Sequence, residues 1–282
     1  MLEIQKLTFR YQKKPLFQDL HLALSPGNIY GLLGRNGAGK TTLLKLCCGL
    51  LIPQEGEIRV FGEIPSKRHP AFLSDLFLVP EEFQLPPVSA TLYINMLAPF
   101  YPRFSREQFQ SHLKEFALKP TEPLSTLSLG QKKKFLLAFG LATQTRLLML
   151  DEPTNGLDIP TKSQFRKILA SVLDQDRILI VSTHQVRDME HLIDPIVILD
   201  AGRIVFSSSF EAFSTRFSVL QGNPPQGAHV VYEERVLGRT LSLVKGVFPG
   251  ALPVDLEFLF NAVTTHPEVF STQAPYQEVS HA

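Results

Sequence analysis

The sequence predicts an α/β fold in which a glycine-rich loop joins a buried strand to a helix at the mouth of an open sheet with parallel strands. Three observations carry this. The loop Gly34-Arg35-Asn36-Gly37-Ala38-Gly39-Lys40-Thr41 follows an apolar run from Asn28 to Leu33 and precedes the helix formers Thr42-Leu43-Leu44-Lys45-Leu46. Three more apolar runs, around Leu78, Leu148 and Ile180, have no polar alternation, as strands covered on both faces do not. Segments of helical spacing separate these runs, the alternation that builds parallel sheets.

The loop matches G-x-x-x-x-G-K-S/T, the phosphate-binding loop, at every fixed position. Glycines let the backbone curl so that several N–H groups face one anion, where a Cβ would clash. The helix that follows adds its free N–H groups and positive dipole end. Gly34, Asn36, Gly37, Ala38 and Gly39 are the expected cradle, and Lys40, Thr41 and Thr42 open the helix. Lys40 suits the β- and γ-phosphates, and the Thr41 hydroxyl suits Mg²⁺. A nucleoside triphosphate is the expected ligand.

Composition bounds the setting. A chain of 282 residues holds one large core, or a main domain with an appendage. A formal net charge of +1 offers no broad basic field, so no nucleic-acid partner is expected. No apolar run reaches the ~18–20 residues that span a bilayer. Met1-Leu2-Glu3-Ile4-Gln5-Lys6 does not read as a signal peptide. The adjacent Cys47 and Cys48 read as small buried hydrophobes in a reducing compartment.

Taken in order, residues 1–25 read as strands, and Tyr11 at their end offers an aromatic face for a base or simply packs on the sheet. Pro53-Gln54-Glu55-Gly56-Glu57 reads as a turn before a strand at Ile58-Arg59-Val60-Phe61. Leu76-Phe77-Leu78-Val79-Pro80 is a buried strand with Glu81 just beyond it. From about residue 91 to 118 the spacing turns helical, with Ser105 as a cap. Phe83, Phe100, Tyr101 and Phe104 make this region aromatic, mostly core, with part available to line a docking groove. Ser128 caps a helix running from Lys132 to Thr143, in which Lys132-Lys133-Lys134 reads as a solvated face.

Leu147-Leu148-Met149-Leu150 delivers Asp151 and Glu152 at a strand's C-terminal end, where open parallel sheets bind ligands. Asp151 suits an Mg²⁺ role, and Glu152 suits a base that orients and deprotonates water. Asp158 reads as a helix cap. His184 ends the run Ile178-Leu179-Ile180-Val181-Ser182-Thr183 and is a candidate γ-phosphate contact. Gln221-Gly222-Asn223-Pro224-Pro225 reads as a linker, followed by two short strands and a helix near Asp255.

In this order the motifs resemble the ATP-binding cassette (ABC) ATPases over about residues 1–214. Tyr11 looks like the adenine-stacking aromatic, residues 34–41 like Walker A, and Leu127-Ser128-Leu129-Gly130-Gln131 like the signature usually written LSGGQ. Residues 147–152 look like Walker B with its catalytic glutamate, Asn155-Gly156-Leu157-Asp158 like the D-loop, and His184 like the switch histidine. Leu129 stands where the family often has glycine, while Ser128 and Gly130 are kept. Glu81 stands where many cassettes carry the Q-loop glutamine, still able to ligate Mg²⁺ or accept from water. That glutamate and the Pro-Thr-Asn-Gly-Leu-Asp run resemble the ABC-2-type exporter branch.

The resemblance implies a P-loop NTPase cassette: a mixed-sheet core, an N-terminal antiparallel β subdomain, a helical subdomain at about 83–145, and a small α+β extension over 215–270. Residues 271–282 are expected to be a flexible tail. It further implies a homodimer or heterodimer of cassettes in which Lys40 and Thr41 of one chain face Ser128 and Gly130 of the other across one ATP, with Mg²⁺. Glu152, His184 and Lys40 are the implied catalytic residues. Integral membrane permease subunits are the implied partners, and the cytoplasmic face of the membrane the implied location. A soluble cassette serving iron–sulfur cluster assembly is the alternative. DNA repair and translation roles fit less well, since there is no long heptad insertion, no second cassette and no basic field.

Overall fold

The computed structural model describes residues 1–119, 121–189, 192–236 and 238–270. The tail expected at 271–282 lies outside the described residues. β1 (Leu2–Tyr11) and β2 (Lys14–Leu24) form an antiparallel hairpin, and β3 (Asn28–Leu33) runs through the glycine-rich loop into α1 (Lys40–Cys47). β4 (Glu55–Val60) returns to β1, completing a sheet of order β2-β1-β4. Next come α2 (Pro70–Leu73), β5 (Leu76–Val79), α3 (Ala90–Leu97), α4 (Arg106–Glu115) and α5 (Leu129–Ala142). β6 (Leu147–Asp151), α6 (Ile159–Ser171), β7 (Ile178–Thr183), β8 (Ile196–Asp200) and β9 (Arg203–Ser208) complete a second sheet, of order β5-β6-β7-β3-β8-β9. All its pairs are parallel except β8 with β9. After α7 (Phe210–Ser214), β10 (Phe217–Gln221), β11 (Val230–Val236) and β12 (Arg239–Lys245) form a third, antiparallel sheet of order β10-β12-β11. Helices α8 (Leu256–Thr265) and α9 (Pro267–Phe270) follow.

The unbroken apolar runs have their explanation in this layering. Every residue of β6 and β7 is buried, because each strand feeds two cores. Leu148, Leu150, Leu179 and Val181 face the core built with α5, α6 and α8. Leu147, Met149, Ile178 and Ile180 face the other core, shared with α1 and the N-terminal sheet. Such strands show no period-two polarity, since neither face meets water.

The helices begin where short polar side chains can accept an orphan N–H. Ser89, Ser105, Ser128, Asp158, Ser209 and Asp255 each accept from the third helical residue. The helix expected from Lys132 starts at Leu129, immediately after its cap. Its last turn carries Phe139, fully buried, with ring centroids of Phe104, Tyr93 and Phe77 at 5.0, 5.3 and 5.6 Å. These rings tie the helical region to β5. Phe139→Ala is expected to cost about 3–5 kcal/mol of unfolding free energy, read from denaturant titration. A loss below about 1 kcal/mol would show that the cluster repacks.

The C-terminal region differs from expectation in one respect. The 221–225 stretch is no linker between units: β10 precedes it, and Gln221 is the last residue of that strand. The loop thus lies inside the third sheet. Phe217, Leu243, Leu256 and Leu259 join the same buried cluster as Leu179 and Val181, so this region packs directly on the main sheet. No helix among the described residues is long and apolar enough to cross a membrane. Cys47 and Cys48 are free and buried, as read from sequence, and burial pushes the Cys48 thiol up to about 11.

Candidate active site

Strand order brings the chemistry together. β5, β6, β7 and β3 are consecutive neighbours with their C-terminal ends level, as the pairs Val79 with Leu150, Asp151 with Ser182, and Leu33 with Thr183 require. Glu81, Asp151 with Glu152, His184 and the loop at Gly34 therefore emerge side by side. Glu81, Glu152 and His184 border a cavity of about 480 Å³ lined also by Tyr11, Asn36, Gly37, Gly39, Lys40, Thr41 and Thr42, while Asp151 lies buried behind Thr41 and does not line it.

The loop's shape depends on two glycines. Gly39 has φ 110°, and a Cβ there would sit 2.8 Å from the Phe17 ring. A Cβ on Gly34 would sit 2.5 Å from the Leu199 carbonyl oxygen. No other residue fits either place. Gly34 and Ala38 shape the loop without lining the cavity. The Gly34 carbonyl accepts from Lys40 Nζ at 2.8 Å, and the Ala38 N–H closes a turn to Arg35 O at 3.1 Å.

Lys40, 7% exposed, places its ammonium 3.4 Å from Glu152 Oε1. The Thr41 hydroxyl donates to Asp151 Oδ2 at 2.6 Å, and the Ser182 hydroxyl donates to Oδ1 of the same carboxylate. Both Asp151 oxygens are thus directed, one toward the loop and one into the sheet. Glu152 adopts φ 47°, a left-handed conformation that a bulky residue keeps only when its surroundings hold it. Its N–H donates to Ser182 O at 3.1 Å and to Ser182 Oγ at 3.2 Å. Its carboxylate takes His184 Nδ1 at 2.8 Å on Oε1 and the His184 N–H at 3.4 Å on Oε2. Since an ionised carboxylate only accepts, the ring contact requires the proton on Nδ1.

Tyr11 is half exposed, with its ring edge-on to Phe9 at 5.0 Å and its hydroxyl 3.3 Å from Thr42 Oγ1. The Glu81 carboxylate accepts from Asn155 Nδ2 at 3.1 Å. Ser128, Gly130 and Asp158 do not line the cavity. Ser128 is exposed and makes a capping box with Gln131. Asp158 accepts from Thr161 N at 2.9 Å, and the Thr161 hydroxyl and N–H hold its carboxyl below the usual value. Gly130 lies against the 155–158 turn, its Cβ position 3.6 Å from Gly156 O. The signature-like residues and this turn thus form a second surface, separate from the cavity.

One expectation is corrected here. Lys133 is not on a solvated face: it is 3% exposed and donates to Glu152 O at 2.6 Å and to Asn155 O at 3.1 Å. A lysine triplet in sequence carries no sign of which member turns inward. Ser182 was also missed as a partner of Asp151, because only the β6–β7 register sets them opposite. Lys14, which lines the cavity, pairs with Tyr11 across the hairpin turn, and its closeness to Tyr11 in the chain was the available signal.

A glycine-rich loop and helix, a strand-borne Asp–Glu pair and a histidine around one cavity define a P-loop nucleotide-binding ATPase. A family model described as ABC transporter matches residues 17–155. The lantibiotic transport ATP-binding protein SrtF of Streptococcus pyogenes is 31% identical over 216 residues, covering 75% of this chain and 92% of SrtF. The ABC transporter ATP-binding protein YtrB of Bacillus subtilis is 28% identical over 204 residues, 71% of this chain and 69% of YtrB. The Nod factor export ATP-binding protein I of Neorhizobium galegae is 32% identical over 212 residues, and those span only 60% of its length. A solved ATP-binding subunit of an ABC transporter superposes with a TM-score of 0.68 at 24% identity, over 75% of this chain and 91% of that one. A dimeric cassette bound to ADP and Pi gives 0.65 at 21% identity, over 74% and 98%. These structures share the fold. The chain belongs to the ABC transporter family of ATP-binding proteins, and ATP is the nucleotide of its family.

Proposed function

We propose that this chain is the energising subunit of a membrane exporter, hydrolysing ATP at the cavity and closing as a dimer of cassettes. The observation that carries the chemistry is the convergence of Lys40, Thr41, Glu152 and His184 on one cavity, with Asp151 bonded to the Thr41 hydroxyl behind it. Relatives named for lantibiotic transport and Nod factor export support the direction. Residues 1–214 form the nucleotide-binding unit in this reading, with a helical part at about 83–145. Residues 215–270 are accessory.

In the proposed reaction Glu152 accepts a proton from water as its oxygen attacks the γ-phosphorus. The bond to the β-phosphate bridging oxygen breaks, leaving ADP and phosphate. His184 holds the Glu152 carboxylate and meets the γ-phosphate, while Lys40 offsets phosphate charge. Thr41 and Asp151 are hard oxygen donors of the kind Mg²⁺ takes together with phosphate oxygens, and Glu81 borders the same space. Among the described residues no group of three or more His, Cys, Asp or Glu side chains is placed to hold a metal. Bound there, Mg²⁺ would supply positive charge against the triphosphate. Tyr11 stacks on the base. Ser128, Gly130 and Asp158 complete the site of a second cassette, the capped end of α5 meeting its γ-phosphate.

The membrane partner docks on the cytoplasmic side in a groove of about 530 Å³ walled by β5, α2 and the end of α3. Leu50 and Phe100, 56% and 67% exposed, stand on its lip. The strand that walls this groove reaches Glu81 two residues beyond its end, which links docking to the nucleotide cavity. Phe100→Glu is expected to abolish recovery of an integral membrane subunit from detergent extract, with ATP binding by the isolated variant as the folding control. Recovery of the same membrane protein at undiminished yield would remove this groove from the docking role, and recovery of only soluble assembly proteins by the unaltered chain would remove the exporter reading.

A further inference from the structure

Lys133 is a buried cation behind the site, and its hydrogen bonds go to main-chain carbonyls. Burial depresses its pKa, opposed by the charges of Glu81, Glu152 and Asp151. A buried ammonium needs partners, and a carboxylate is the common choice. Lys133 instead donates to two main-chain carbonyls, those of Glu152 at 2.6 Å and Asn155 at 3.1 Å. It therefore fixes backbone. The backbone it fixes is the left-handed Glu152. Relaxing that residue to an ordinary φ would swing the carbonyl away from Lys133 and the carboxylate away from Lys40 and His184. Asn155, held by the same ammonium, in turn donates to Glu81. Lys133 also stands on α5, close behind the Ser128 cap.

We propose that Lys133 is a positioning residue for the general base. It clamps Glu152 in the conformation that aims its carboxylate at the attacking water, and it ties that conformation to α5. The inference rests on the reading of Glu152 as base and of Ser128 as the contact to a second cassette's nucleotide. With those roles, α5 touches one nucleotide at its capped end and sets the base for the other through Lys133. A shift of the cap on closure is then transmitted to catalysis within the same chain.

The test is steady-state ATP hydrolysis by the full chain carrying Lys133→Met, Lys133→Arg or Glu152→Gln, with binding of a non-hydrolysable ATP analogue measured in parallel. Lys133→Met is expected to lower kcat by about tenfold or more while KM and analogue affinity stay within about twofold. Arginine, which can still donate to both carbonyls, is expected to restore most of kcat. Cooperativity in ATP should fall in the methionine variant and return with arginine. If the methionine variant does not fold, Lys133→Gln takes its place: its shorter, uncharged side chain holds the two carbonyls less well, so a smaller loss of kcat at unchanged KM is expected, and an unchanged kcat overturns the proposal. An unchanged kcat, a loss confined to KM, or an arginine variant as slow as methionine overturns the proposal. Glu152→Gln separates the two readings. Normal turnover in that variant removes the base and this inference together, whereas a slow Glu152→Gln beside a normal Lys133→Met removes the inference alone.

Discussion

Glu152→Gln is expected to bind ATP and barely hydrolyse it, with kcat reduced by about 10²- to 10⁴-fold, the usual span of a general base. The amide keeps the shape that His184 and Lys40 contact but cannot take a proton from water. Loss of the negative charge 3.4 Å from Lys40, between two nearly buried side chains, also removes repulsion toward the γ-phosphate. ATP affinity should therefore hold or rise. With hydrolysis stopped, the closed pair of cassettes has no route to open, so size-exclusion chromatography with light scattering should show dimer in ATP and monomer without it. Turnover close to that of the unaltered chain would take the catalytic role from Glu152. A monomer in ATP would remove the shared-site reading.

The second large effect is expected at Lys40. Lys40→Ala should weaken ATP binding by about 2–5 kcal/mol, roughly 30-fold to several thousand-fold in Kd. The Lys40 side chain is 7% exposed and its ammonium is held at the loop by the Gly34 carbonyl, so its charge acts on phosphate with little solvent screening. Its removal also leaves the buried Glu152 carboxylate with one partner fewer. Titration with ATP followed by calorimetry measures this directly. A Kd within about twofold of the unaltered chain would mean that the backbone cradle alone holds the phosphates.

The site was legible in proportion to how local its chemistry is. The phosphate loop needs its glycines, Lys40 and Thr41 at fixed short spacing, so residues 34–41 announce themselves. Asp151 and Glu152 were readable because an apolar run that ends in two carboxylates is conspicuous. His184 was readable by the same logic on the neighbouring strand. Ser182 was not, because its meaning comes from lying opposite Asp151, and register is a property of two strands. The lysine triplet misled for a related reason. Lys133 turns inward to satisfy carbonyls left by the Glu152 turn, which the helix sequence does not encode.

The C-terminal region shows the same division. Its strands and the Asp255 cap follow from local spacing, yet the loop at 221–225 looked like a boundary, since glycine and proline mark a turn without saying what it joins. Phe217 makes the difference: it stacks on Phe213 at 5.0 Å and joins the core of the main sheet.

Local sequence accounts for the phosphate loop, the buried strands that flank it and the carboxylates and histidine at their ends. These depend on backbone curvature, on burial and on spacing within a few residues. Long-range packing is what sets β5, β6, β7 and β3 side by side, brings Ser182 and Thr41 to the same Asp151, and bonds Lys133 to the Glu152 carbonyl. Those contacts join residues far apart in the chain. They are selected by how two apolar faces of one sheet pack, and no single segment carries that information.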